Sequence, residues 1–320
     1  MFVLLVAPQR HSVHRVHLRS PTAGGPRGGV RLDGGVTRYG DLDRPPLHEA
    51  ALTRALVRPG GLWRSVRVVE ETGSTNADLA ALAREGEDEG VLLATELQTA
   101  GRGRLGRTWT APARSGLAFS MLLRPDVPAD RLPWVPLLTG VAVASAVRRL
   151  TGFGEAGDRF FAGADGDTRV DAVLKWPNDV LVGDRKLAGI LAEKVGDAVV
   201  VGVGLNVSLH PDELPVPTAT SLAIEGAPLS DRAPMLRAVA REVEGRYREW
   251  AAASGDPEVC GLRADYRELC ATLGREVRVQ MPGGAETRGL AEDVDAEGRL
   301  VVAAPEGKVP VSAGDVVHVR

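Results

Sequence analysis

The chain has 320 residues, 44% hydrophobic and 25% charged, with a formal net charge of -3, which allows two globular domains and gives no global pull toward nucleic acid. Its two cysteines, Cys260 and Cys270, cannot build a disulfide framework and read as reduced thiols of a cytoplasmic protein. The apolar start lacks the basic region of a secretory signal, and no stretch approaches the ~20 apolar residues a membrane helix needs, so no membrane partner is expected.

Residues 1–45 are rich in Gly, Pro and Arg without sustained periodicity and read as a disordered leader. His11, His14 and His17 recur at a spacing of three, but no carboxylate or cysteine accompanies them, so metal binding is not expected there. The same stretch lacks the amphipathic segments of a winged helix–turn–helix. A helix is predicted over 46–57, ended by Pro59-Gly60-Gly61. A strand follows over 65–70, then a helix capped by Ser74 or Thr75 and running to about 85. Strands are predicted at 90–97 and 117–123, with a long apolar helix at 132–150. Four strands joined by tight turns follow at 169–174, 179–182, 187–194 and 198–203. Two helices come next, one over 233–253 and one ending near 273. The tail, 276–319, reads as five short strands with Gly- or Pro-marked turns, the pattern of a small barrel. The fold class expected is α+β, a mixed or antiparallel sheet with flanking helices, followed by a small all-β barrel. The boundaries expected are 46–270 for the first domain and 271–320 for the second.

Five segments carry chemistry. In Gly101-Arg102-Gly103-Arg104-Leu105-Gly106 the glycine spacing matches GxGxxG, but Thr108-Trp109-Thr110-Ala111-Pro112 and a strand follow where a dinucleotide fold needs a helix. Arg102, Arg104 and Arg107 suit phosphates, because guanidinium groups bind them bidentately and glycine lets backbone approach. Glycine also allows such a loop to close over a reactive intermediate. An RG-type nucleic-acid contact is the alternative for this loop. The second segment is Lys175-Trp176-Pro177-Asn178-Asp179, where Trp-Pro forces an extended turn and a cation, amide and carboxylate sit at a strand end; taken alone it reads first as a structural turn and second as a nucleotide site. In the third, Lys186 opens an apolar strand containing Gly189, either as a surface flank or as a cation facing a cleft. The fourth, Gly202-Val203-Gly204-Leu205-Asn206, places two glycines inside a strand, which implies close approach of a ligand or backbone. The fifth, Gly73-Ser74-Thr75-Asn76, is a helix cap or the lining of a small-molecule pocket. Only four of the 39 basic residues are lysines, among them Lys175 and Lys186, so a lysine that persists is a candidate for a compact point charge.

The order GSTNADL, ELQTAGRGRLGRTW, LKWPNDVLV, KLAGILAE, GVGLNV resembles that of biotin–protein ligases over roughly residues 63–225. The resemblance implies a class II synthetase-like catalytic fold with a small C-terminal SH3-like β-barrel, and an ATP-dependent ligase that forms biotinyl-AMP and passes biotin to a lysine of a biotin carboxyl carrier domain. It implies that Ser74, Thr75, Asn76 and Gln98 meet biotin. The loop from Gly101 through Arg102, Gly103 and Arg104 to Arg107 would close over carboxylate and phosphates. Lys186, with Gly189 on its strand, would bridge the two anions. Trp109 and Asn206 would border adenine. Lys175, Asn178 and Asp179 would serve the nucleotide, with Asp179 near Mg²⁺ or the incoming lysine. Lys186, Arg102, Arg104 and Asp179 are the catalytic candidates, and no resident metal site is expected. The branch with an N-terminal DNA-binding domain is not matched, so no nucleic-acid partner is expected. The expected assembly is a monomer or weak homodimer. Lipoate–protein ligase and a non-enzymatic nucleic-acid-binding module are the competing readings.

Overall fold

A computed structural model of the chain describes residues 44–152, 169–227, 231–281 and 283–319. The leader read at residues 1–45 and its three histidines fall almost wholly outside the described residues. The elements are α1 (Glu49–Leu56), β1 (Ser65–Thr72), α2 (Thr75–Arg84), β2 (Val91–Gln98), β3 (Gly116–Leu123), α3 (Trp134–Leu150), β4 (Ala172–Lys175), β5 (Asp179–Val182), β6 (Arg185–Val195) and β7 (Ala198–Asn206). After them come α4 (Ala233–Ala252), α5 (Leu262–Leu269), β8 (Glu276–Gln280), β9 (Glu286–Val294), β10 (Leu300–Ala304), β11 (Gly307–Val311) and β12 (Asp315–His318).

The first seven strands form one sheet in the order β1-β2-β3-β7-β6-β5-β4. β1 and β2 are parallel, joined through α2, and the remaining pairs are antiparallel. Its central strands are apolar almost without interruption because both faces are covered. Leu92, Ala94, Met121, Val199 and Val201 face one core with α3 and α4, while Val91, Leu93, Leu122 and Val200 face a smaller one with Leu79, Ala80 and Ala83 of α2. α3 is buried on nearly every side, which accounts for its near-continuous apolar sequence.

The tail is a second, five-stranded antiparallel sheet in the order β11-β10-β9-β8-β12. Its apolar residues, among them Val277, Val302 and Val316, join the large core. The two sheets are stitched by indole donors: Trp134 Nε1 bonds Ala296 O at 2.8 Å, and Trp176 Nε1 bonds Gly298 O at 3.0 Å. The α+β class with a small β unit is therefore as expected. Two local expectations need correction. The strand predicted at 169–174 begins only at Ala172, and the last helix stops at Leu269 after a series of turns with left-handed Gly255 and Gly261. The turn read as extended at Trp176–Pro177 carries a cis peptide bond.

Candidate active site

α2 covers only part of its sheet face. Beyond its N-terminus the face lies open, and a cleft of about 820 Å³ including its mouth opens there. Glycines flatten its floor. Gly189 and Gly204 sit opposite each other in register, and the Trp109 indole lies across both. A Cβ on Gly204 would come within 2.6 Å of the indole Nε1, and one on Gly189 within 3.2 Å of Cζ3. A Cβ on Gly202 would come within 3.0 Å of Asn76 Cγ. The close approach expected at these strand glycines is thus made by the chain's own side chains.

One wall is polar and organised by α2. Ser74 caps the helix, its hydroxyl accepting from Ala77 N at 3.5 Å, and Ser74, Thr75 and Asn76 all line the cleft. Thr75 N donates to Gln98 Oε1 at 3.0 Å, and Thr75 Oγ1 lies 2.7 Å from Ser120 Oγ. Ser120 donates to Asn76 Oδ1 at 2.6 Å, while Asn76 Nδ2 donates to buried Glu193 at 2.8 Å. These side chains are held by one another in orientations that burial alone would not select.

A second group of lining residues is cationic. Arg102 pairs with Glu193 at 3.6 Å. Arg104 donates to Asn178 Oδ1 at 2.8 Å, and Asn178 is itself tied to β6 through its Nδ2 bond to Ile190 O at 3.0 Å. Burial lowers the Arg104 pKa, opposed by Asp179 and Asp315; a guanidinium so shifted still carries its charge at neutral pH. The loop closes on itself through Gly103 N to Arg107 O at 2.7 Å and Trp109 N to Gly101 O at 2.9 Å. Only a single 3₁₀ turn at Arg104–Gly106 interrupts it, so no helix follows the glycine motif. Lys186 Nζ lies 2.7 Å from Asp179 Oδ1 and 5.8 Å from the centre of a Trp109 ring.

A second, larger cleft of about 1610 Å³ lies on the far side of Trp109, between β5, the segment 215–219 and β12. Trp109, Asp179 and Lys186 line both clefts. The structure brings Ser74, Thr75, Asn76, Gln98, Arg102, Gly103, Arg104, Arg107, Asn178 and Gly189 to the first cleft with these three. Lys175 and Asn206 line only the second. Asn206 spends its amide on Thr220 O at 2.8 Å, clamping the segment that roofs that cleft. Gly101 lines neither; it is buried at the loop base, where a Cβ would come within 2.8 Å of Gln98 Nε2. Arg107 turns to the second sheet and pairs with Asp315, whose hydrogen bond raises its pKa. Sequence reasoning missed Ser120, Glu193 and Asp315. Ser120 and Glu193 are polar residues interrupting apolar runs of half-buried or buried strands, a readable sign of a polar site. Asp315, far along the chain, carried no local signal.

The profile of the family described as "Biotin/lipoate A/B protein ligase family" matches residues 67–208, and that of the "Biotin protein ligase C terminal domain" matches 272–319. The chain is 45% identical over 282 residues to "Biotin--[acetyl-CoA-carboxylase] ligase" of Mycobacterium tuberculosis, covering 88% of this chain and 98% of that one. It belongs to the biotin–protein ligase family. Another member, the "Bifunctional ligase/repressor BirA" of Bacillus subtilis, is 29% identical, with 76% of this chain and 70% of that one covered. Among solved members, the biotin protein ligase from Aquifex aeolicus in complex with biotin and ATP superposes with a TM-score of 0.65 at 27% identity, over 81% of this chain and 100% of that one. The two matched family regions coincide with the two sheets, and the first ends just beyond β7, the last strand of the cleft floor.

Proposed function

We propose that the chain is an ATP-dependent biotin–protein ligase: it condenses biotin with ATP to biotinyl-5'-AMP and transfers the biotinyl group to a lysine of a carboxylase's biotin carboxyl carrier domain. The observation that carries this reading is the shared wall. Lys186, held by Asp179, stands between two clefts, with Arg102 and Arg104 on one side of it. The first cleft receives biotin, its ring meeting Ser74, Thr75, Asn76 and Gln98 and its carboxylate reaching Lys186. The second receives the nucleotide, its base against Trp109 and beneath the segment that Asn206 clamps, its phosphates toward Lys175. Attack of a carboxylate on the α-phosphorus joins two anions, and fixed cations at their meeting point offset the repulsion and stabilise the charge that develops. No side chain need act as nucleophile.

Mg²⁺ belongs to the same proposal as part of the nucleotide substrate. Among the described residues no cluster of three or more His, Cys, Asp or Glu is grouped to hold a metal. Asp179 alone at the shared wall fits an ion that Mg–ATP brings, since Mg²⁺ is commonly held by one or two carboxylates with substrate phosphates and water. Among the described residues no helix is long and apolar enough to cross a membrane. We further propose a cytoplasmic monomer or weak homodimer of two domains, 46–270 and 271–320, without a nucleic-acid partner.

ATP–pyrophosphate exchange tests the reading. Exchange should require biotin and vanish in Lys186→Gln. Exchange driven by lipoate would assign the sister activity, and none with either acid would overturn the ligase reading.

A further inference from the structure

The polar wall carries a chain of hydrogen bonds whose direction is fixed at both ends. Asn76 Nδ2 donates to Leu191 O at 3.1 Å as well as to Glu193 at 2.8 Å. A backbone carbonyl only accepts, so this end sets which way the Asn76 amide faces and spends both of its hydrogens. Gly202, opposite Ser120 across β3 and β7, leaves the room that the amide occupies. Asn76 Oδ1 then faces Ser120 Oγ at 2.6 Å, and an amide oxygen only accepts, so the single hydroxyl proton of Ser120 is spent on it. Thr75 Oγ1 lies 2.7 Å from Ser120 Oγ, a separation at which two oxygens share a proton, and only Thr75 has one left to give. At the other end Thr75 N, which only donates, bonds Gln98 Oε1 at 3.0 Å and so fixes that atom as an acceptor. The same Oε1 is the second oxygen within reach of the Thr75 hydroxyl, at 3.2 Å. Whichever oxygen takes the Thr75 proton, that proton stays inside the protein.

We infer that Ser120 is a positioning residue that sets the ligand preference of this subsite: it holds Thr75 Oγ1 as a pure acceptor, so the cleft selects a ligand that presents an N–H there and turns away one that presents an oxygen. The inference rests on the proposed function for the ligand, whose ureido ring supplies the N–H. Ser120 is fully buried and does not line the cleft, so it acts through Thr75 and touches no substrate. Discrimination comes from the mismatched partner. A ligand oxygen set against Thr75 gives up its hydrogen bond to water and meets only lone pairs, which penalises the wrong ligand as well as favouring the right one. Without Ser120 the Thr75 hydroxyl can turn its proton to the cleft and serve either kind of ligand.

Biotin and its two cyclic carbamate analogues, in each of which one ureido N–H is replaced by oxygen, read this polarity. Titration calorimetry on the full chain should show biotin binding about 10- to 100-fold tighter than the analogue whose oxygen faces Thr75, the loss expected when one buried acceptor is left against another. In Ser120→Ala that ratio should fall about tenfold, as the Thr75 proton becomes free to meet the carbamate oxygen. Ser120→Cys, which keeps one hydrogen to pass to Asn76, should stay nearer the parent ratio. A pocket merely loosened by substitution weakens all of these ligands alike and leaves the ratio where it was. Equal binding of biotin and both carbamates by the parent chain, a measurement that needs no variant, would overturn the inference. So would an unchanged ratio in Ser120→Ala, or a ratio in Ser120→Cys as low as in Ser120→Ala. A parent chain that binds no biotin would instead overturn the proposed function, and the inference with it.

Discussion

The strand glycines decide the shape of the floor. Gly204 and Gly202 stand two residues apart on one face of β7, yet each accommodates a different neighbour, Trp109 in one case and Asn76 in the other. The same added methyl should therefore injure two different subsites. Gly204→Ala displaces the indole and should weaken binding of a non-hydrolysable ATP analogue to the biotin-loaded protein by about tenfold, since overpacking costs roughly 1–3 kcal/mol. Gly202→Ala pushes on Asn76 and should weaken biotin itself by a similar factor. Titration calorimetry on both variants checks this; equal losses for both ligands in both variants would show that the floor is one undivided surface. Glycine in a strand is visible in the sequence as an anomaly, so the position of close approach was legible. The partner was not, because Trp109 reaches β7 from a distant loop. The same limit hid Asp315, which reaches Arg107 only through the packing of the second sheet.

At the scale of elements, the periodicity of the chain located nearly every helix and strand, because buried strands here are long apolar runs bounded by Gly and Pro. The boundaries shifted where tertiary contacts extend a strand past its apolar stretch. β7 continues beyond the predicted 203 to Asn206 because Gly204, Leu205 and Asn206 pair with β3. The parallel β1–β2 pair follows from the α2 crossover, a strand–helix–strand order that the sequence already shows. What joins the elements at the far end of β2 is a buried charge pair. Arg232, at the N-terminus of α4 and 1% exposed, donates to Glu96 at 2.6 Å and to the carbonyls of Pro45 and Gly116 at 3.0 and 2.9 Å. Glu96 also accepts from Leu47 N at 2.6 Å. One pair thus ties the entering chain, β2, β3 and α4. Arg232→Met leaves the Glu96 carboxylate buried without a counter-charge and should cost about 3–5 kcal/mol. Adding Glu96→Gln, which keeps an acceptor for Leu47 N, should recover part of that loss. Urea denaturation of the single and double variants measures both, and an unchanged midpoint in Arg232→Met would show that the pair is not an anchor.

The two sheets meet beside the second cleft, and that junction carries a titrating group. His318, at the end of β12, has its pKa pushed down to about 4 by burial, then by Lys175 and Arg275, against a smaller opposing pull from Asp184. Its Nε2 lies 3.1 Å from Thr272 Oγ1, which accepts from Trp176 N at 3.1 Å, so the ring connects β12 to the turn between β4 and β5. The folded chain holds His318 neutral while the unfolded chain protonates it near pH 6.5. Below that value the unfolded state binds the extra proton, so this contribution to stability is complete above about pH 6.5 and is lost as pH falls toward 4. The melting temperature should drop across that window, and His318→Gln, which keeps a hydrogen-bonding side chain without a titrating ring, should flatten the drop. The electrostatics add a second consequence. An anion bound between Lys175 and Arg275 would offset the charges that depress the ring's affinity for a proton, so the His318 pKa should rise when the nucleotide's phosphates enter. NMR titration of the His318 ring with and without inorganic triphosphate measures this. A ring pKa that stays put as triphosphate saturates the protein would place the phosphates away from Lys175 and separate the junction from the nucleotide cleft.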